Sequence, residues 1–110
     1  MLSSGYLRAK KPIHPEETPL IDQLHGVVAP FTTPFKANGD IEFSAIRPQI
    51  DWLIENGVHG VASGGSTGEG HALDRGEYQE LMAATVEAAA GRIPVVAGII
   101  ANTTAEVARR

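Results

Sequence analysis

Three short apolar runs punctuate the chain: VVAPFT at 27–32, VHGVAS at 58–63 and PVVAGII at 94–100, beginning 31 and 36 residues apart. They are rich in β-branched residues and show no steady polar face, which predicts strands buried on both sides. The first closes at Thr33-Pro34, and the stretch behind it, PFKANGDIEF, carries the turn sequence Asn38-Gly39-Asp40. Between the runs the apolar spacing becomes helical. Ile46, Ile50, Leu53 and Ile54 fall at i, i+4, i+7 and i+8, one face of a 3.6-residue repeat. Ser44 is the predicted N-cap, Pro48 sits in the first turn where a missing N–H costs little, and Gly57 supplies a left-handed stop. A second helix is predicted to open on a capping box of Asp74 and Glu77, to present Tyr78, Leu81, Met82, Thr85, Val86 and Ala89 on one face, and to end at Gly91. Thr103 and Glu106 predict another capping box and a third helix, barely begun at Arg110.

This alternation predicts βα units on a parallel sheet, the building block of both open doubly wound sheets and (β/α)8 barrels. Three parallel strands alone leave two unpaired edges and an uncovered face, so a larger fold of this class, truncated, is expected. Residues 1–25 read as an extended arm, with Pro12, Pro15 and Pro19 and a single turn near 21–24. Its Arg8, Lys10 and Lys11 precede prolines and acids rather than an apolar core, unlike a secretory leader.

Composition narrows the possible partners. At 110 residues, with 43% apolar and 20% charged positions, the chain has the balance of one small globular domain. A net charge of −4 argues against nucleic acid or an anionic membrane as partner. No apolar run approaches the roughly 18 residues of a transmembrane helix. The absence of cysteine removes disulfides and thiolate metal sites, consistent with a cytoplasmic setting.

The candidate chemistry lies in the glycine-rich stretch GVHGVASGGSTGEGHAL, residues 57–73. A P-loop would need a lysine after its last glycine, and a dinucleotide loop would place its helix start inside the glycines; neither holds, and Glu69 would repel a phosphate. Gly64-Gly65-Ser66-Thr67-Gly68 satisfies the G-x-S-x-G pattern of hydrolases, but about eight residues separate Ser66 from the next helix start. His71 also precedes Asp74, so the acid-then-histidine order fails. The remaining reading is a cradle for a small carboxylate: backbone amides freed by glycines, with the hydroxyls of Ser66 and Thr67, at the C-terminal end of a parallel strand.

GVVAPFTTPFKANGDIEF, ENGVHGVASGGSTGE and GRIPVVAGIIANTTAE, in that order and spacing, resemble the dihydrodipicolinate synthase and N-acetylneuraminate lyase family of Schiff-base aldolases. The resemblance spans residues 26–110 and implies a partial (β/α)8 barrel: strands 1–3, helices 1–2 and the start of helix 3. It implies a lyase that joins or splits pyruvate and an aldehyde through a lysine imine, a homotetramer, and neither cofactor nor metal. By resemblance Gly65, Ser66 and Thr67 bind substrate; Ser66 serves catalysis as a proton relay, while Thr67 and nearby amides hold the pyruvate carboxylate. Glu69 is expected to brace the loop. The imine lysine belongs to a strand outside these residues, since Lys10, Lys11 and Lys36 sit in the arm and a polar turn.

The serine at position 66 resembles the N-acetylneuraminate lyase branch, so that activity, or a 2-keto-3-deoxy sugar acid aldolase or dehydratase, stands as an alternative to dihydrodipicolinate synthesis. A non-catalytic remnant is the alternative of another class. Pro30, Ile99 and Ile100 also depart from the usual pattern. His14, His25, His59 and His71 lack metal-ligand spacing; His59 is expected in the core, and His71 near the loop. Trp52, off the apolar stripe, is expected at a helix or subunit contact.

Overall fold

The computed structural model describes residues 20–110. The predicted arm over 1–19, with its prolines, Lys10, Lys11 and His14, lies outside the described residues, which open on a single 3-10 turn at Leu20–Gln23. Three βα units follow: β1 (Val28–Pro30), α1 (Ile46–Glu55), β2 (Gly60–Ser63), α2 (Arg75–Ala89), β3 (Val95–Ala97) and α3 (Thr104–Arg109). The strands form a parallel sheet in the order β1-β2-β3, with Ala29 beside Val61 and Val61 beside Val95. No described helix is long and apolar enough to cross a membrane.

The strands are shorter than their apolar runs because the flanking backbone turns to other partners. Val27 O accepts from both His59 N–H and Gly60 N–H, so regular pairing starts only at Gly60. Pro30 costs β1 no hydrogen bond to β2, its one strand neighbour among the described residues. Phe31 N–H reaches Ala62 O at 3.2 Å, so the neighbouring Pro30 nitrogen faces away from β2.

One sheet face carries the core. Val61 is fully buried, and the helices pack over it with Ile46 and Ile50 from α1 and Leu81 from α2. Ser63 points the same way and donates to Thr85 Oγ1, because the single Thr85 proton goes to Leu81 O at 2.7 Å. Arg92 ties the two helices: its guanidinium donates to Ala88 O and Ala89 O at the end of α2 and meets Asp51 of α1 at 2.6 Å, holding that carboxyl below its ordinary range. The opposite face carries Pro30, Ala62 and Val96, and no described element covers it.

Several cap and face assignments change. A 3-10 turn at Phe43–Ala45 precedes α1, so Ala45 takes the N-cap position without a side-chain bond, and Ser44 instead donates to Glu42 Oε1. Gly57 has the predicted left-handed backbone, φ 90°. Both halves of the Asp74–Glu77 box form, worth about 1 kcal/mol to α2. Only half of the next forms: Thr103 accepts from Glu106 N–H, but the Glu106 carboxylate turns to Arg75 and Arg109, whose guanidiniums hold it below its ordinary range. The buried arc of α2 runs through Tyr78, Leu81, Thr85 and Ala88; Val86 is 58% exposed, facing an apolar recess beside β3 lined by Ile93, Val95 and Val96. Trp52 is 60% exposed.

Two strand edges unpaired among the described residues, and a sheet face that no described element covers, predict that the 110-residue chain alone associates as its concentration rises and unfolds without a sharp transition. Sedimentation and scanning calorimetry check this; a monomer with a sharp, cooperative melt would contradict it.

Candidate functional site

The loop leaving β2 folds back on itself through its own backbone. Gly64 turns into the left-handed region at φ 73°. Glu69 N–H returns to Ser66 O at 3.1 Å, closing a four-residue turn with Thr67 and Gly68 in the middle. Gly70 N–H then reaches Gly65 O at 3.1 Å, and a 3-10 turn at Gly70–Ala72 leads to the cap of α2. This return brings Gly70 onto the Gly64 carbonyl so closely that no Cβ fits between them. It also forces Glu69 to φ 56°, a conformation costing a non-glycine residue roughly 1–2 kcal/mol.

Neighbouring elements brace this loop from two sides. After β1, the buried Thr33 hydroxyl donates to Gly68 O at 2.6 Å. After β3, Gly98 lies flat against Gly65, where an added Cβ would come within 2.6 Å of the Gly65 backbone. Tyr78 holds Gly98 by donating to its carbonyl at 2.8 Å. Burial pushes the Tyr78 phenol up, with Arg110 opposing, which keeps the hydroxyl protonated and able to donate. Arg110 crosses the Tyr78 ring at 5.6 Å and donates to Gly70 O and Leu73 O, fixing the far end of the loop. The bracing roles of Thr33, Gly98, Tyr78 and Arg110 were not legible in the sequence because their contacts span 20 to 40 positions. The T-P-F element and the glycine after the third strand were the available signals.

The structure brings Gly65, Ser66 and Thr67 together at the C-terminal end of β2, with Gly65 half-buried and both hydroxyl residues exposed. Among the described residues neither hydroxyl has a hydrogen-bond partner, and the backbone N–H groups of Ser66 and Thr67 meet no carbonyl. Four neutral donors are therefore free on a turn whose shape does not depend on them. Glu69 is exposed and its carboxylate forms no hydrogen bond or ion pair with a described side chain; it is the Glu69 backbone that braces the loop, through Ser66 O and Ala72 N–H. Lys36 remains an exposed turn residue.

The histidines fall elsewhere. His59 lies just before β2 and is exposed, not in the core; its Nδ1 accepts from Val27 N–H at 2.9 Å, and its ring leans on His25. Its imidazole stays outside because it packs over Gly26 at the sheet's lower rim. His71 follows the loop and lines a cavity of about 210 Å³ with Ile100, Asn102, Glu106 and Arg110, whose lining does not include Ser66 or Thr67. Among the described residues no three His, Asp or Glu side chains converge as a metal site would need.

Three parallel βα units with free donors where β2 ends define an α/β protein, and folds of this class place their ligand sites at the C-terminal ends of the strands. Residues 23–109 match the Dihydrodipicolinate synthetase family, and the chain belongs to it. The 4-hydroxy-tetrahydrodipicolinate synthase of Koribacter versatilis is 39% identical over 88 residues, which cover 80% of this chain and 29% of the relative. An N-acetylneuraminate lyase of Proteus mirabilis superposes with a TM-score of 0.74 at 29% identity, over 79% of this chain and 30% of that one. The chloride-inhibited dihydrodipicolinate synthase of Acinetobacter baumannii, complexed with pyruvate, superposes at 0.73 and 28% identity, over 76% and 29%. The chain thus spans under a third of the length of these relatives, and its described elements are three βα units of a (β/α)8 barrel.

The Gly64–Gly70 contact makes a steric prediction, read in a completed barrel in which residues 20–110 are joined to the remaining segment of the Koribacter versatilis relative. Gly70→Ala should cost about 1–3 kcal/mol or prevent folding, since the methyl meets backbone. Gly65→Ala, where an added Cβ meets nothing within 4 Å, should stay near the parent. Equal melting temperatures for the two variants would show that the loop is not closed as described.

Proposed function

We propose that the chain supplies the pyruvate-holding rim of a carbon–carbon lyase of the 4-hydroxy-tetrahydrodipicolinate synthase type. The observation that carries this reading is the set of free donors on Ser66 and Thr67, held on a self-closed turn at the end of β2 in a chain of this family. Two hydroxyls and two amides suit a carboxylate, and they are preorganised because Thr33, Gly98 and Arg110 hold the backbone rather than the donors themselves.

On this reading Thr67 and the adjacent amides bind the pyruvate carboxylate, leaving the keto carbon exposed to a lysine amine. The amine adds to that carbon, the keto oxygen takes a proton, and loss of water leaves the imine. Ser66 relays protons in these steps. Lys36, the one lysine among the described residues, is exposed in a turn and unsuited to form a buried imine, so the amine comes from the rest of the barrel. The full protein then joins pyruvate to an aldehyde, or splits such a product, as a homo-oligomer. The likeness to the Proteus N-acetylneuraminate lyase supports an N-acetylneuraminate lyase reaction as the second reading.

In the completed barrel, Thr67→Val removes one donor from a charged acceptor, a loss of roughly 1.5–3 kcal/mol, so pyruvate should bind about ten- to a hundredfold more weakly. Ser66→Ala should lower kcat more than it raises the pyruvate KM. Wild-type affinity and turnover in both variants would reduce the loop to a structural turn.

The unextended chain, treated with pyruvate and borohydride, should yield no adduct by mass spectrometry. A stable pyruvyl group on Lys36 would overturn the placement of the nucleophile outside these residues.

A further inference from the structure

We propose that Thr33 is a positioning residue for the carboxylate cradle: its hydroxyl sets the orientation of the Gly68–Glu69 peptide and thereby aims Thr67. The peptide is held at both ends. Its carbonyl accepts from Thr33 Oγ1 at 2.6 Å, and its N–H donates to Ser66 O at 3.1 Å. Thr67 and Gly68 lie between these two anchors.

The surroundings pack closely on Gly68 in this orientation. A Cβ on Gly68 would stand 3.1 Å from Gly64 N, 3.2 Å from Phe31 O and 3.3 Å from Thr33 Oγ1, so the end of β1 and the start of the loop close around it. Thr33 is 5% exposed, and its hydrogen bond is buried. Adjacent Thr32 is exposed and accepts from Gln49 Nε2 instead. The two threonines therefore divide, one bonding to α1 and one to the loop.

Without the Thr33 hydroxyl, the Gly68 carbonyl is buried without its partner, a costly state that rotation of the peptide would relieve. That rotation breaks the Glu69–Ser66 bond and swings Thr67 away from its neighbours. Thr33 thus acts on substrate affinity through the turn, without touching substrate. The inference rests on the reading that Thr67 holds the pyruvate carboxylate.

The test compares Thr33→Val and Thr33→Ser in the completed barrel, reading pyruvate KM and kcat together with amide exchange at Glu69 and Leu81. Thr33→Val should raise KM tenfold or more with a smaller change in kcat. It should speed Glu69 exchange tenfold or more while Leu81 in α2 stays within twofold of the parent, and Thr33→Ser should restore both. Parent-like KM and Glu69 exchange in Thr33→Val, or a Thr33→Ser variant that behaves like it, overturns the proposal. So does equal acceleration at Leu81, which would mean general loosening. If Thr33→Val does not fold, Thr33→Ala is read the same way; failure of both beside a folded Thr33→Ser would make the hydroxyl a requirement of the fold and also overturn the positioning role. A parent barrel without pyruvate turnover would defeat the proposed function, while Glu69 exchange would still decide whether Thr33 orients the turn.

Discussion

Gly70 rests on the carbonyl of Gly64, and the loop after β2 takes its shape from that contact. A chain that returns within six residues to touch its own starting point has room for hydrogen alone at the crossing. Its return is closed by backbone bonds from Glu69 to Ser66 and from Gly70 to Gly65. The loop therefore needs no side chain from its own tip. Ser66 and Thr67 are spared structural work, which is what leaves their hydroxyls and amides available for a ligand.

The same economy appears one layer out. The loop is steadied through its carbonyls: Gly68 by Thr33, Gly70 and Leu73 by Arg110, with Gly98 packed against it and held in turn by Tyr78. Two of these braces start from elements fixed by the core. Tyr78 belongs to the buried arc of α2, and Thr33 follows Phe31, which is buried at the end of β1. Packing on one face of the sheet is thereby converted into fixed geometry at its C-terminal rim, while the other face, with Pro30, Ala62 and Val96, is covered by no described element.

Local signals were legible in the sequence and distant ones were not. The three βα units, the Asp74–Glu77 box and the Gly57 stop depend on neighbours within a few positions, and all appear as expected. Ser44 failed as a cap because a 3-10 turn displaced the helix start by one residue, a choice that propensity does not encode. Val86 fits the helical stripe, yet burial is a property of what lies opposite, and beside β3 there is a recess. His59 sits within an apolar run, but that run begins before the strand does. The donors of the site could be read from glycines and hydroxyls; the braces could not, because Thr33 and Gly68 are 35 positions apart and nothing in either residue announces the other.

The choice of neutral donors has a chemical logic on the proposed reading. A lysine imine carries positive charge beside the pyruvate carboxylate, so a cation placed to bind the carboxylate would also repel the imine, a penalty magnified where water is excluded. Hydroxyl and amide dipoles favour the carboxylate without adding a full positive charge. The nearby cation that could have filled that role, Arg110, is committed to Gly70 O and Leu73 O beyond the turn, its guanidinium lying over Tyr78. The positive charge of Arg110 thus stays on the structural side of the loop, and Ser66 and Thr67 offer the ligand side only partial ones.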